Sequence, residues 1–165
     1  MNAKFIVEGH NPTVYNEQGE PAVRASDDME NGAGSWIARI VGEFAERVGQ
    51  TRPADYPEGP CTKIPGYLAS ESDITNIQSC VIALPFGWEG PAGTDTKNRE
   101  EVGRMMGENA PKMFRAWRPA MVSLGIPATD VDHWIEEAEI DLATSRSKVY
   151  MDAYYWIGRV NGDED

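Results

Sequence analysis

The sequence predicts an α+β fold in which an N-terminal strand or hairpin and a C-terminal strand form a small antiparallel sheet packed against four to five helices. Three observations carry this reading: a β-prone run at each end of the chain, helical apolar stripes between them, and a length of 165 residues, which suits one core. A single domain over residues 1–160 with a short acidic tail at 161–165 follows. An apolar fraction of 41% that includes five Trp, six Tyr and four Phe is enough to fill a packed interior.

Lys4 to Val7 and Thr13 to Tyr15 are short β-prone runs, and turn-forming residues from Asn16 to Pro21 lead into Ala22 to Ala25, the pattern of a hairpin. Ser35 then stands as N-cap of a helix bearing Trp36, Ile37, Ile40, Val41, Phe44 and Val48 on one stripe, with Gly49 as its stop. Four prolines between Gln50 and Ala69 predict a long irregular connection. Beyond it, Ile74, Ile77, Val81 and Leu84 follow helical spacing, while Cys80 to Leu84 also reads as a short buried strand. The spacing favours a helix beginning near Ser72.

Pro85 to Gly93 is a Gly/Pro loop whose Phe86 and Trp88 read as a core plug ahead of a recognition tip. Asp95 or Thr96 starts a helix through Val102, Met105 and Met106. A break near Gly107 to Pro111 separates it from a second helix, capped by Asn109, through Met113, Phe114, Trp117, Met121 and Leu124; Pro119 predicts a kink and Gly125 the end. Thr129 to Asp132 matches a capping box ahead of a stripe of Val131, Trp134, Ile135, Ala138 and Leu142. Val149 to Val160 alternates as a strand, and pairing it with the N-terminal strand joins the two ends of the chain.

Charge is the strongest compositional signal. With 27 acidic against 15 basic residues the formal charge is −12, opposite in sign to a direct grip on nucleic acid. No apolar run is long enough to cross a bilayer, and the opening residues lack a leader pattern, so a cytoplasmic protein with no membrane contact is expected. Cys61 and Cys80 lack metal or scaffold spacing, and His10 and His133 add no recognised motif, so neither a metal nor a cofactor is expected.

Charge also segregates along the chain. Lys97, Arg99, Arg104, Lys112, Arg115 and Arg118 are followed by a stretch that holds Asp130, Asp132, Glu136, Glu137, Glu139 and Asp141 and no Lys or Arg. On a helix these twelve positions span roughly 18 Å, or about one carboxylate per 3 Å, against one charge per about 1.7 Å in duplex DNA. Asp132, Glu136 and Glu139 would line an outer face. The plain reading pairs the acidic helix with its basic neighbour. The sharper one makes those six acids the contact face of a small acidic binding module for a protein with a basic surface, including an inhibitor that occupies a nucleic-acid-binding surface.

Two alternatives stand beside it, so enzymatic activity is left open. A small enzyme acting on an anionic or nucleotide-like metabolite would use the helix start at Gly32, Gly34 and Ser35 as its anion site, without the Walker lysine or a full GxGxxG. Glu71, Glu89 and Asp152 are candidates for a carboxyl group raised by burial. An assembly subunit, or a homo-oligomer, would instead bury leftover apolar surface such as that of Met105, Met106, Met113 and Met121.

Overall fold

The sheet is built on its last strand. In the computed structural model, which describes residues 3–29, 33–51, 60–91 and 98–160, the elements run β1 (Ala3–Asn16), α1 (Trp36–Gln50), α2 (Pro60–Ser70), β2 (Ile74–Pro85), α3 (Arg99–Ser123), α4 (Ala128–Thr144) and β3 (Val149–Val160). The strand order is β1-β3-β2, antiparallel throughout. Ala3 pairs with Val160 and Asn16 with Val149, so the two ends of the chain meet as expected. Among the described residues, four helices and three antiparallel strands make a small α+β fold.

The N-terminal hairpin reduces to one strand. β1 continues through Thr13 to Tyr15 with a bulge between His10 and Val14, and the return segment makes only isolated bridges, Tyr15 to Pro21 and Arg24 to Ser35. Pro21 has no N–H to extend a ladder. The turn is held by the Asn16 side chain, whose Oδ1 accepts from the N–H groups of Gln18 and Glu20 at 3.0 and 2.9 Å.

Three connections differ from the sequence reading. Within the expected irregular stretch, residues 60–70 form a helix; its first residue is Pro60, where the missing N–H costs nothing, and Leu68 is buried. Residues 74–85 form a strand rather than a helix. Its Ile, Thr and Val content suits a pleated ladder, and the free side of β3 supplies a partner that periodicity cannot register. The expected break at Gly107 to Pro111 is absent: α3 runs 25 residues through Pro111 and Pro119. Gly103, Ala110, Phe114 and Met121 recur along one buried face and carry the helix across both prolines.

The helix ends also divide. Asn98 is the N-cap position of α3, whereas Asp95 and Thr96 lie outside the described residues. Gly125, at φ 91°, ends α3 as expected. The capping box at Thr129 to Asp132 does not form: α4 begins at Ala128 after Pro127, and the Asp132 carboxylate is held by Arg118.

Ile37, Ile40, Phe114, Met121 and Val131 are fully buried where α1, α3 and α4 meet the sheet. Phe86 joins them with its ring 6.4 Å from that of Phe114, and Trp88 Nε1–H donates to the Val149 carbonyl at 2.8 Å, so this loop is a plug and not a tip. The plug requires Gly103, since a Cβ there would come within 1.8 Å of the Trp88 carbonyl oxygen. Gly103→Ala is expected to lower the urea midpoint substantially. Gly49→Ala, in open space on α1, should raise stability by about 0.5–1 kcal/mol. Equal midpoints for the two variants would remove the plug argument.

Candidate functional site

The carboxylates of α4 are sorted onto three sides, and each side has a different neighbour. Toward α3, Arg115 Nε and Nη2 donate to Glu139 at 2.8 and 2.7 Å, and Arg118 Nε and Nη2 donate to Asp132 at 2.5 and 2.8 Å. Both are fork-to-fork pairs. The hydrogen bonds from Arg118 hold the Asp132 carboxyl below its ordinary range, yet both pairs are exposed and their net effect on stability is small. The basic stretch thus meets the acidic one through two arginines, while Arg104 pairs within its own helix with Glu101 and Glu108, Arg99 binds the carbonyls of Glu89 and Gly90, and Lys97 lies outside the described residues.

Toward the core, Asp141 is completely buried. Its Oδ2 accepts from the Trp36 N–H at 2.8 Å and from Ser147 Oγ at 3.2 Å, and Oδ1 accepts from Arg146 Nε at 2.6 Å. Arg146 also reaches Glu137 at 3.1 Å. Trp36 is the first residue of α1, so Asp141 sits at that helix's N-terminus, where partial positive charge and unsatisfied N–H groups favour an anion. The helix start expected to hold a ligand anion therefore holds the protein's own carboxylate. Ser35 caps α1 through Ala38 N–H at 3.2 Å and lies 3.0 Å from Ser147 Oγ. Gly34 packs against the Ala25 backbone, where a Cβ would approach Ala25 Cα to 2.7 Å. Gly32 lies outside the described residues.

The outward side carries Asp130, His133, Glu136 and Ile140, all exposed and spaced three or four apart. Of the three acids expected on the outer face, only Glu136 is there; Asp132 and Glu139 turn to α3 because arginines wait on that side. Beside the stripe lies a concavity of about 370 Å³ lined by Asp27, Trp36, Arg39, Asp130, His133 and Trp134, with Ala25 and Ser26. His133 Nε2 and Asp27 Oδ1 are 2.9 Å apart, the Trp36 ring meets His133 edge-on, and the Arg39 guanidinium stands 4.6 Å over the Trp134 ring with a buried Nε that has no hydrogen-bond partner among the described residues. The Asp27 contact with His133 joins residues far apart in sequence and left no local signal.

Among the remaining candidates, Glu71 and Glu89 are exposed. Asp152 is half-buried on β3, on the face of Tyr150 and Tyr154, and burial pushes its carboxyl above the ordinary range; burial likewise raises the Tyr150 phenol, with the charge of Asp152 and neighbouring Tyr15 adding to it. Cys80 is exposed on β2 while His133 pairs with Asp27, so the two do not form a nucleophilic pair. The side chains of His10 and Cys61 are outside the described part. Among the described residues no three metal-ligating groups cluster. No helix there is long and apolar enough to cross a membrane.

Two outcomes follow from these burial states. Asp141→Ala leaves the Trp36 N–H without its acceptor and Arg146 without its nearer carboxylate, and is expected to cost about 3 kcal/mol in urea unfolding at neutral pH. A loss within experimental error would show that Asp141 is not the anchor. Asp152 has a folded pKa above its unfolded one, so the folded state binds the extra proton and stability falls as pH rises through that interval. Asp152→Asn should therefore melt higher than the parent at pH 7, and the difference should vanish below the ordinary aspartate range, near about pH 3. No known family matches the chain, and no characterised protein or solved structure does so either.

Proposed function

We propose that the chain is a small acidic protein-binding module whose partner presents a basic surface, and that contact is made by the outward stripe of α4 together with the adjoining Asp27–Asp28 loop. The observation that supports this is the division of labour on α4. Asp132, Glu137, Glu139 and Asp141 are tied to arginines, whereas Asp130 and Glu136 are exposed and outside those pairs. Asp27 shares the concavity with Asp130, which adds a carboxylate to the same side.

The pairing narrows the kind of partner. Asp130 and Glu136 are about 9 Å apart along the helix, well below the charge density of a duplex. The face suits a few lysines or arginines on a protein, and inhibition of a nucleic-acid-binding partner would come from covering such residues rather than from copying a phosphate backbone. The reading includes a cytoplasmic setting, with the exposed Cys80 as a reduced thiol, and no direct contact with nucleic acid. It also includes self-association.

A second reading, a small enzyme, is supported by the Asp27 and His133 pair at a concavity walled by two tryptophans. With the α1 start already filled by Asp141, its substrate would be aromatic or cationic rather than a nucleotide phosphate.

The test begins with capture of partners at low salt and release by raising it, followed by affinity measurements on the isolated partner. Asp130→Lys combined with Glu136→Lys is expected to weaken binding at least tenfold with an unchanged melting temperature, and parent binding should weaken as salt rises. Glu100→Lys, exposed at the start of α3, should have little effect. If the double variant binds as the parent does, the acidic-face reading is wrong.

A further inference from the structure

Residues 74–88 contain no Asp, Glu, Lys or Arg, the longest such run in a chain of net charge −12. β2 occupies most of that run, and among the described residues the order β1-β3-β2 leaves one of its sides without a strand. Residues 76–81 are exposed, with Val81 at 55% and Ile77 at 37%. Edge strands are ordinarily protected by lysine, inward charge, proline or bulges. Here the protection is confined to the ends, a bulge between Thr75 and Gln78 and Pro85 at the close, so the middle of the edge is open.

The polarity of that edge can be assigned. Phe86 N–H donates to the Val149 carbonyl at 3.0 Å, and the register is continuous from Gln78 opposite Ile157 to Pro85 opposite Tyr150. In an antiparallel ladder the backbone groups alternate between the two sides. Even-numbered residues from Gln78 to Phe86 therefore bond to β3, and Ser79, Val81 and Ala83 point their N–H and C=O groups away. Pro85 falls in the outward set, so its missing N–H removes no bond to β3.

We infer that two copies of this chain associate by antiparallel pairing of β2 with β2, joining two three-stranded sheets into one of six strands. Ser79 exchanges hydrogen bonds with Val81 of the partner subunit, and Val81 with Ser79 of the partner subunit. This register satisfies the outward groups of Ser79 and Val81 on both copies, keeps the paired residues 78–82 clear of the bulge, and places Cys80 on the two-fold axis. A second copy is the fitting occupant because two molecules of charge −12 repel wherever carboxylates face each other, and this uncharged edge is where they can approach. An isologous contact needs a self-complementary surface, and an antiparallel strand edge is one. The pairing does not depend on the acidic face of α4.

Cys80 supplies a direct test of the register. It is an inward residue of the ladder to β3, so across the new interface Cys80 faces Cys80 of the partner subunit in a non-hydrogen-bonded pair, with Cα atoms about 4.5 Å apart, within the range a disulfide spans. In Cys61→Ser protein, whose only thiol is Cys80, diamide is expected to produce a covalent dimer at low protein concentration, the two thiols passing two electrons and two protons to the diamide. Cys80→Ser should give none.

Sedimentation in reducing buffer should show a reversible dimer that tightens several-fold as salt rises, since salt screens the repulsion of the two copies. Partner binding through Asp130 and Glu136 has the opposite salt dependence, so the two readings fail separately. Val81→Pro deletes an outward N–H and should weaken the dimer at least tenfold while leaving the melting temperature of the monomer close to that of the parent. Should Val81→Pro not fold, Val81→Lys, which sets two charges at the new seam, must weaken it comparably. A monomer at all concentrations, a dimer indifferent to the folded Val81 variant, or a dimer that resists Cys80 crosslinking would each overturn the inference.

Discussion

One buried carboxylate organises the helical half of the molecule. Placing Asp141 out of water costs several kcal/mol unless its lone pairs are filled and its charge is answered. Here the Trp36 N–H, Ser147 Oγ and Arg146 Nε do both, and the positive end of α1 adds to them. These donors come from the start of α1 and from the turn after α4, so the contact holds α1 against α4 at a defined end and delivers the chain into β3. Ser35 and Ser147 close the same cluster from the other side. An apolar contact could bring these elements together, but it would not select which end of α1 meets α4.

That arrangement changes what the charge pattern can mean. The sequence contains a helix start suited to an anion and a helix rich in carboxylates, and the fold makes one the ligand of the other. Arg146, five residues beyond Asp141 in the left-handed turn at Ser145, then bridges Asp141 to Glu137. On the opposite flank Arg115 and Arg118 answer Glu139 and Asp132. Surface fork pairs of this kind contribute little to stability. Their larger effect is to concentrate the unanswered charge of α4 at Asp130 and Glu136, beside Asp27 and two tryptophans.

The parts of the fold legible in the sequence are those decided by neighbours along the chain. The stripe from Trp36 to Val48, the stop at Gly125 and the alternation of β3 all express a local period or a local backbone requirement, and the pairing of β1 with β3 follows from two β-prone ends with nowhere else to go. For β2 the spacing of Ile74, Ile77, Val81 and Leu84 favours a helix over the short strand that Cys80 to Leu84 also allows; what decides for the strand is the free edge of β3, which lies about seventy residues on. A break near Gly107 to Pro111 is expected because proline removes a helical bond, and α3 stays whole because Ala110 and Phe114 are buried on both sides of the weak point. The capping box at Thr129 failed for a similar reason: Asp132 has a guanidinium in reach. Of the candidate site, the acidity of α4 was visible. Which acids face outward was not, because this depends on where the arginines of another helix lie.

The uncharged run at β2 and the excess of acid elsewhere have a joint consequence. A protein of net charge −12 is kept from close self-contact over most of its surface, because any two acidic patches brought together lose hydration and repel. Backbone hydrogen bonds at a strand edge carry no net charge and escape that penalty. The same acidity that opposes general aggregation therefore does not protect this edge, and it favours the one approach in which only neutral groups meet. A strand edge alone is promiscuous toward any extended segment; bounded by a bulge, a proline and repulsion from the rest of the molecule, it becomes selective for a narrow set of registers. Specificity at such a seam comes from what surrounds the strand more than from the strand's own side chains.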